Sequence, residues 1–217
     1  MPYPALGPMR DTSAYWSHAL RRVTGSGPGK MTGMTVVYLM QHGEKEPGAR
    51  RSAADRAGPD AGHADRPVAG RPRVGALWSS PMRRARETAG CIASVTGLTV
   101  QADVRLRERL NWDGSIPWEA FADLWARTAD DRDLVPGSGQ SARQTAARLQ
   151  AFLAGLRGLL GPVAAVTHGG VTAELLRNLL GDDALPPGVL AAGIPPCAIT
   201  TVDDLNPVMI ASVSHLP

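Results

Sequence analysis

Along the chain, short blocks of unbroken apolar residues alternate with longer stretches in which apolar positions recur every three or four residues. Thr35–Met40 (TVVYLM), Val74–Trp78 (VGALW) and Val163–Thr167 (VAAVT) offer no polar face, as strands buried on both sides of a parallel sheet require. After the second block, Ser80 and Pro81 read as the cap and first turn of a helix. Its face is Met82, Ala85, Ala89 and Ile92, and Gly97 stops it. Leu98–Val100 reads as a short strand. Ser115–Ile116–Pro117 opens another helix, with Trp118, Phe121 and Trp125 at helical spacing. Ser141 with Gln144 forms a capping box for a long helix facing inward through Ala142, Leu149, Phe152, Leu156 and Leu159. Val171–Leu180 is a helix ended by Gly181. Ala198–Val202 and Val208–Ser212, joined by Asp-Asp-Leu-Asn-Pro, read as a closing hairpin. The alternation predicts an α/β fold, a three-layer α/β/α sandwich with a mainly parallel central sheet.

Two segments depart from this rhythm. Residues 1–33 carry Pro2, Pro4, Pro8 and the run Gly25–Gly29, and read as a disordered leader; a start near Met31 or Met34, or a short docked helix over Tyr15–Arg22, are the other readings. Nothing in the leader has the continuous apolar stretch of a signal peptide. Between Pro47 and Arg73 lie six arginines and three aspartates, with Val68 the one large aliphatic residue. A parallel crossover needs an amphipathic helix to cover the sheet, and this stretch supplies no apolar face. It reads either as a surface insertion or as a segment translated out of frame. The domain proper is therefore 34–217.

Composition narrows the function classes. With 217 residues, 43% hydrophobic and 20% charged, the chain forms one ordinary domain and is not wholly disordered. No apolar run approaches the roughly 18 residues of a membrane span. Cys91 and Cys197 stand alone and far apart, which suits a reducing, cytoplasmic setting rather than a disulfide framework. A net charge of +3 is too small to argue for nucleic acid, but it fits an anionic small-molecule substrate.

The chemistry-bearing residues fall just past predicted strand ends, where open α/β sheets bind ligands. Gln41-His42-Gly43-Glu44 follows the first strand, and His168-Gly169-Gly170 follows the strand at 163–167. Each His-Gly pair puts an imidazole beside backbone that an oxyanion can approach closely. Ser79–Ala89 (SSPMRRARETA) follows the second strand. An arginine in the first turn of a helix opposes the helix dipole, so Arg84 is better explained by an anion in a pocket, whereas Arg83 and Arg86 suit a solvated face. In Arg105–Leu110 (RLRERL), Glu108 is an ionised surface partner of three arginines, or, if it lines a closed pocket, a proton donor.

Together QHGE, SSPMRRARETA, RLRERL and VTHGG resemble the histidine phosphatase superfamily, the phosphoglycerate-mutase-like fold, over about Met34–Leu216. The resemblance includes the closing Ser-His-Leu and weakens through 47–73. It implies phosphoryl transfer through a phosphohistidine, without metal or other cofactor. His42 would be the nucleophile, Glu108 the proton donor and then the base, and His168 a partner to the transferred group. Arg84, Gln41, Gly43 and Gly169 would hold the phosphate. The family motif has arginine where Gln41 stands; losing one preorganised donor costs about 2.7–4 kcal/mol in enzymes where it has been measured. Lys45 is a candidate replacement cation, and Gln140 stands where the family's Gly-Glu-Ser loop usually has an acid. The expected function is a phosphomonoesterase acting on a small phosphorylated metabolite. Alternatives are a degenerate member that binds phosphorylated ligands without turnover, and a mutase-type phosphotransferase. A zinc deaminase is excluded because Thr200 stands where Pro196-Cys197 would need a second cysteine, and a serine hydrolase because no G-x-S-x-G elbow occurs.

Overall fold

The computed structural model describes Trp16 and residues 18–21, 35–43, 74–137 and 139–216. Six strands form one sheet: β1 (Val36–Gln41), β2 (Ala76–Ser79), β3 (Val100–Ala102), β4 (Val163–Thr167), β5 (Ile199–Asp203) and β6 (Asn206–Ser212). Their order is β3-β2-β4-β1-β5-β6. The first four run parallel, and β5 and β6 are antiparallel additions at one edge. The helices are α1 (Arg83–Thr96), α2 (Trp118–Asp130), α3 (Ala142–Gly155), α4 (Gly169–Leu180) and α5 (Pro187–Ala192).

Side chains alternate across the sheet, as a strand period of two requires. Tyr38, Met40, Leu77, Ala164 and Val166 point into one core, against Ala85, Ala89 and Ile92 of α1. Val37, Leu39, Val163 and Ala165 point into the other, against Leu149 and Phe152 of α3 and Leu175 of α4. Helices thus cover both faces, which is the expected three-layer sandwich. All five residues of β4 are buried, so the middle strand is the most apolar one.

Helix ends follow the sequence signals with small displacements. The Ser141–Gln144 capping box is present. Gly97 ends α1 in the left-handed region, its N–H bonding Ala93 O. The cap of α1 is Met82 rather than Ser80, although Ser80 Oγ does accept from Met82 N–H at 3.2 Å. Leu159 is 42% exposed because α3 ends at Gly155, before the inward face can extend that far. The closing hairpin turns on two residues, not five: Asp204 (φ 42°) and Leu205 (φ 66°) both take the left-handed conformation that a tight hairpin requires. The periodicity did not show α5 at all.

Trp16, Ala19 and Leu20 are buried against the α1 side of the core, and Trp16 lies 6.1 Å from the His215 ring. A disordered leader therefore does not describe these residues, whose helical conformation matches the docked-helix reading. The rest of 1–34, the whole of 44–73 and Lys45 lie outside the described residues. The first two predicted strands are not neighbours either. Each pairs with β4, which lies between them.

Phe152 is fully buried and meets Trp78 edge to face, with ring centroids 5.7 Å apart. Phe152→Ala should cost about 3–5 kcal/mol. Thermal denaturation should show this as a fall in Tm on the order of 10 °C.

Candidate active site

Four parallel strands deliver one site. Gln41 of β1 lies opposite Thr167 of β4, so the residues that follow, His42 and His168, emerge side by side. The His42 N–H donates to Thr167 O at 3.2 Å. The Ser80 N–H, at the end of β2, donates to Val166 O, and the Asp103 N–H, past β3, donates to Ser79 O. The ends of β1, β4, β2 and β3 thus carry His42, His168, the start of α1 and the loop to Glu108 in spatial order.

His42 is buried, and its ring meets that of His168 with centroids 5.0 Å apart. Nδ1 lies 2.5 Å from Gly43 O, and Nε2 lies 2.9 Å from Nε of Arg84. A carbonyl oxygen only accepts and a guanidinium only donates, so the proton sits on Nδ1 and the lone pair on Nε2. That lone pair faces the one arginine that sequence reasoning aimed at a pocket. Arg84 also donates through Nη1 to Asn111 Oδ1 at 3.2 Å. Burial lowers its pKa, and the nearby Glu108 carboxylate opposes that shift. Arg83 instead turns outward to Glu87.

His168 is fully buried at the N-cap of α4, with Nε2 2.8 Å from Ser80 Oγ. The Gly43 N–H is bonded to Thr88 Oγ1 at 3.1 Å, which anchors the strand end to α1. A Cβ on Gly169 would stand 3.3 Å from Gln41 Nε2, so the glycine lets the Gln41 amide lie against α4.

Glu108 is not held by side-chain hydrogen bonds from its three flanking arginines. Arg105 turns to Asp103, with contacts of 2.7–3.1 Å. The Arg109 guanidinium turns to Thr128 and lies over the Trp125 ring, 4.3 Å from its centroid. Arg107 is exposed. The carboxylate itself accepts two backbone N–H groups, from Arg109 at 2.7 Å and from Gly170 at 3.2 Å. Burial pushes its pKa above the usual carboxylate range; those donors, Arg84 and Arg109 offset the rise only in part. A carboxyl group whose pKa is raised in this way is better suited to carry a proton than an ordinary surface carboxylate.

Several residues here were missed. Arg148 of α3 donates to the carbonyls of Val104, Arg105 and Arg107 at 2.6–3.2 Å, and through Nε to Gln140 Oε1, pinning the loop that presents Glu108. Gly170 is required by contact: a Cβ there would stand 2.5 Å from Glu108 Oε1 and 2.8 Å from Trp125. Its signal was the second glycine of His-Gly-Gly. Ser80, Thr88 and Asn111 gave no signal beyond lying in the motif blocks. Among the described residues, no three His, Cys, Asp or Glu side chains group so as to hold a metal ion. No helix among them is long and apolar enough to cross a membrane.

A family model described as the histidine phosphatase superfamily (branch 1) matches residues 37–204. The chain belongs to that superfamily. A glucosyl-3-phosphoglycerate phosphatase of Mycobacterium tuberculosis is 35% identical over 119 residues, 48% of this chain and 53% of that protein. The chain thus spans about half the length of the curated relative it matches. A solved mycobacterial glucosyl-3-phosphoglycerate phosphatase in complex with inorganic phosphate superimposes with a TM-score of 0.57 and 23% identity, over 86% of this chain and 100% of that one. A phosphoglycerate mutase from Bacillus anthracis str. Sterne gives a TM-score of 0.57 and 16% identity, over 84% and 95%. At these identities the structural likeness speaks for the phosphoglycerate-mutase-like fold.

The raised pKa of Glu108 makes a stability prediction whose sign is fixed. A folded pKa above the unfolded one contributes stability at low pH, and that contribution is lost as pH rises through the folded value. Glu108→Gln carries no charge and escapes the loss. Its Tm relative to the native protein should therefore climb in its favour as pH rises from about 4 towards neutrality. A difference that stays flat with pH would mean the carboxylate is ordinarily ionised.

Proposed function

We propose that the chain is a phosphomonoester hydrolase working through a phosphohistidine at His42, on a small phosphorylated metabolite. The observation that carries this reading is the hydrogen bond from Arg84 Nε to His42 Nε2, with the Nδ1 proton held by Gly43 O. It orients an unprotonated nitrogen towards the guanidinium that would bind an arriving phosphoryl group. The relative named as a glucosyl-3-phosphoglycerate phosphatase supports the same class of reaction.

The Nε2 lone pair accepts from Arg84 Nε. Phosphoryl oxygens, better acceptors than an imidazole, draw the guanidinium N–H groups to themselves and release the lone pair. Nε2 then attacks phosphorus in line, and the N–P bond forms as the ester P–O bond breaks. The departing electron pair stays on the alcohol oxygen, which takes the Glu108 proton. The resulting carboxylate removes a proton from water as that water attacks phosphorus. The N–P pair returns to Nε2, and inorganic phosphate leaves. Arg84, and His168 edge-on to His42, stabilise charge on the equatorial oxygens. The neutral Gln41 amide favours a second reading, in which the site binds phosphorylated ligands but turns them over slowly.

Incubation with a 32P-labelled phosphomonoester, quenched by denaturation at alkaline pH, should leave label on His42. His42→Ala should abolish both label and phosphate release. Release without any labelled intermediate would refute the mechanism, while tight binding without release would favour the binder.

Gly170→Ala tests how closely Glu108 is packed. Alanine is the better helix former by about 0.5–1 kcal/mol, but its methyl group would press on Glu108 and the Trp125 ring, an overpacking that costs about 1–3 kcal/mol, so Tm should fall. The same methyl group displaces the Glu108 carboxylate. Hydrolysis should fall on the order of 10–100-fold in kcat, as expected for a misplaced proton donor.

A further inference from the structure

On the Glu108 side of the paired histidines lies a cavity of about 400 Å³. Gln41, Glu108, Arg109 and Trp125 form one part of its wall, and Val189 and Leu190 of α5 another. His42 and Arg84 are not part of that wall. A leaving group departs opposite its nucleophile and beside its acid, so this cavity is where the alcohol portion of an ester would sit.

Gln41 Oε1 is buried at this wall and accepts no hydrogen bond among the described residues. A buried acceptor that no protein group reaches can be satisfied by a donor on a ligand. A phosphomonoester dianion has no hydrogen to give, so the donor must sit on the leaving group. The surrounding charge decides between a hydroxyl and an ammonium. Arg109 is 3% exposed, and its Nε is buried without an acceptor. Glu174, the other carboxylate lining the cavity besides Glu108, is held by Arg132 and Arg177 at 3.3 Å each. A second cation would meet the Arg109 guanidinium here and a Glu174 carboxylate already shared by two arginines, whereas a hydroxyl can donate to Gln41 and offer its oxygen to cationic neighbours. The Trp125 indole and the α5 aliphatics suit the carbon skeleton that carries such hydroxyls.

We infer that Gln41 is a specificity residue selecting phosphomonoesters whose leaving alcohol bears a further hydroxyl, which donates a hydrogen bond to Gln41 Oε1 in the cavity. The inference rests on the hydrolase reading and deepens it. An arginine at this position, as in the resembled motif, would have no acceptor to offer.

Three esters that differ only in the leaving group test it: glycerol 1-phosphate, n-propyl phosphate and 3-aminopropyl phosphate. For the native protein, kcat/KM should favour the glycerol ester over the propyl ester by at least about tenfold, and the ratio should shrink to within about twofold in Gln41→Met. Gln41→Glu keeps an acceptor, so it should retain the ratio while lowering both rates through repulsion of the phosphoryl group. A native ratio near one, a ratio that survives Gln41→Met, or a preference for the amino ester would overturn the assignment. If no ester is turned over, the hydrolase reading falls, and the ratio of calorimetric Kd values for the same esters on the same proteins decides the role of Gln41. Failure of the glycerol ester to bind in that case counts against it.

Discussion

The site depends on the register of β4 between β1 and β2. Because strand side chains alternate, a slip of one residue would send His42 or His168 to the opposite face of the sheet. Register is held where both faces are buried, and β4 is buried at every position, with Val37, Leu39, Tyr38 and Met40 of β1 almost equally so. Any slip would carry these apolar side chains into mismatched layers on both sides at once. The apolar composition of the central strands therefore does more than stabilise the sheet. It fixes two imidazoles, from residues 126 positions apart in the chain, with ring centroids 5.0 Å from one another.

That constraint explains what could be read in advance. His42, Arg84, Glu108 and His168 each follow a strand within a few residues, so a pattern of buried strands with motifs at their ends already brought them to one edge. Helix faces were legible where periodicity was uninterrupted, as in Ala85, Ala89 and Ile92. What escaped was whatever depends on contacts between distant segments. Arg148 reads as one more polar residue on a helix, and nothing local says that its guanidinium collects three carbonyls of another loop. Gly170 reads as helix-start flexibility, although the decisive fact is how closely Glu108 and Trp125 approach it. Helix α5 is six residues long and begins at a proline, too short for a period to register.

The ionic groups around the cavity follow one rule, that buried charge is tolerated only when surrounded by partners. Glu174 is 3% exposed yet sits among Arg132, Arg177 and the more distant Arg109. Arg177 is in turn shared with Asp182 and with Ala129 O of α2. This network ties α2 to α4 beneath the cavity. Along α2 runs an aromatic row, Trp118, Phe121 and Trp125, that begins at Trp112 and ends at the cavity wall against the Arg109 guanidinium. The wall holding Glu108 is thus braced on both sides, by Arg148 below and by the Arg109–Trp125 stack above.

The amide at position 41 and the raised pKa of Glu108 belong to one electrostatic arrangement. Burial raises the Glu108 pKa, and each guanidinium nearby pulls it down. A further cation nearby would add to that downward pull. Placing an uncharged amide at 41, next to His42, adds no further cation to that balance and leaves the upward shift from burial opposed only by the groups already there.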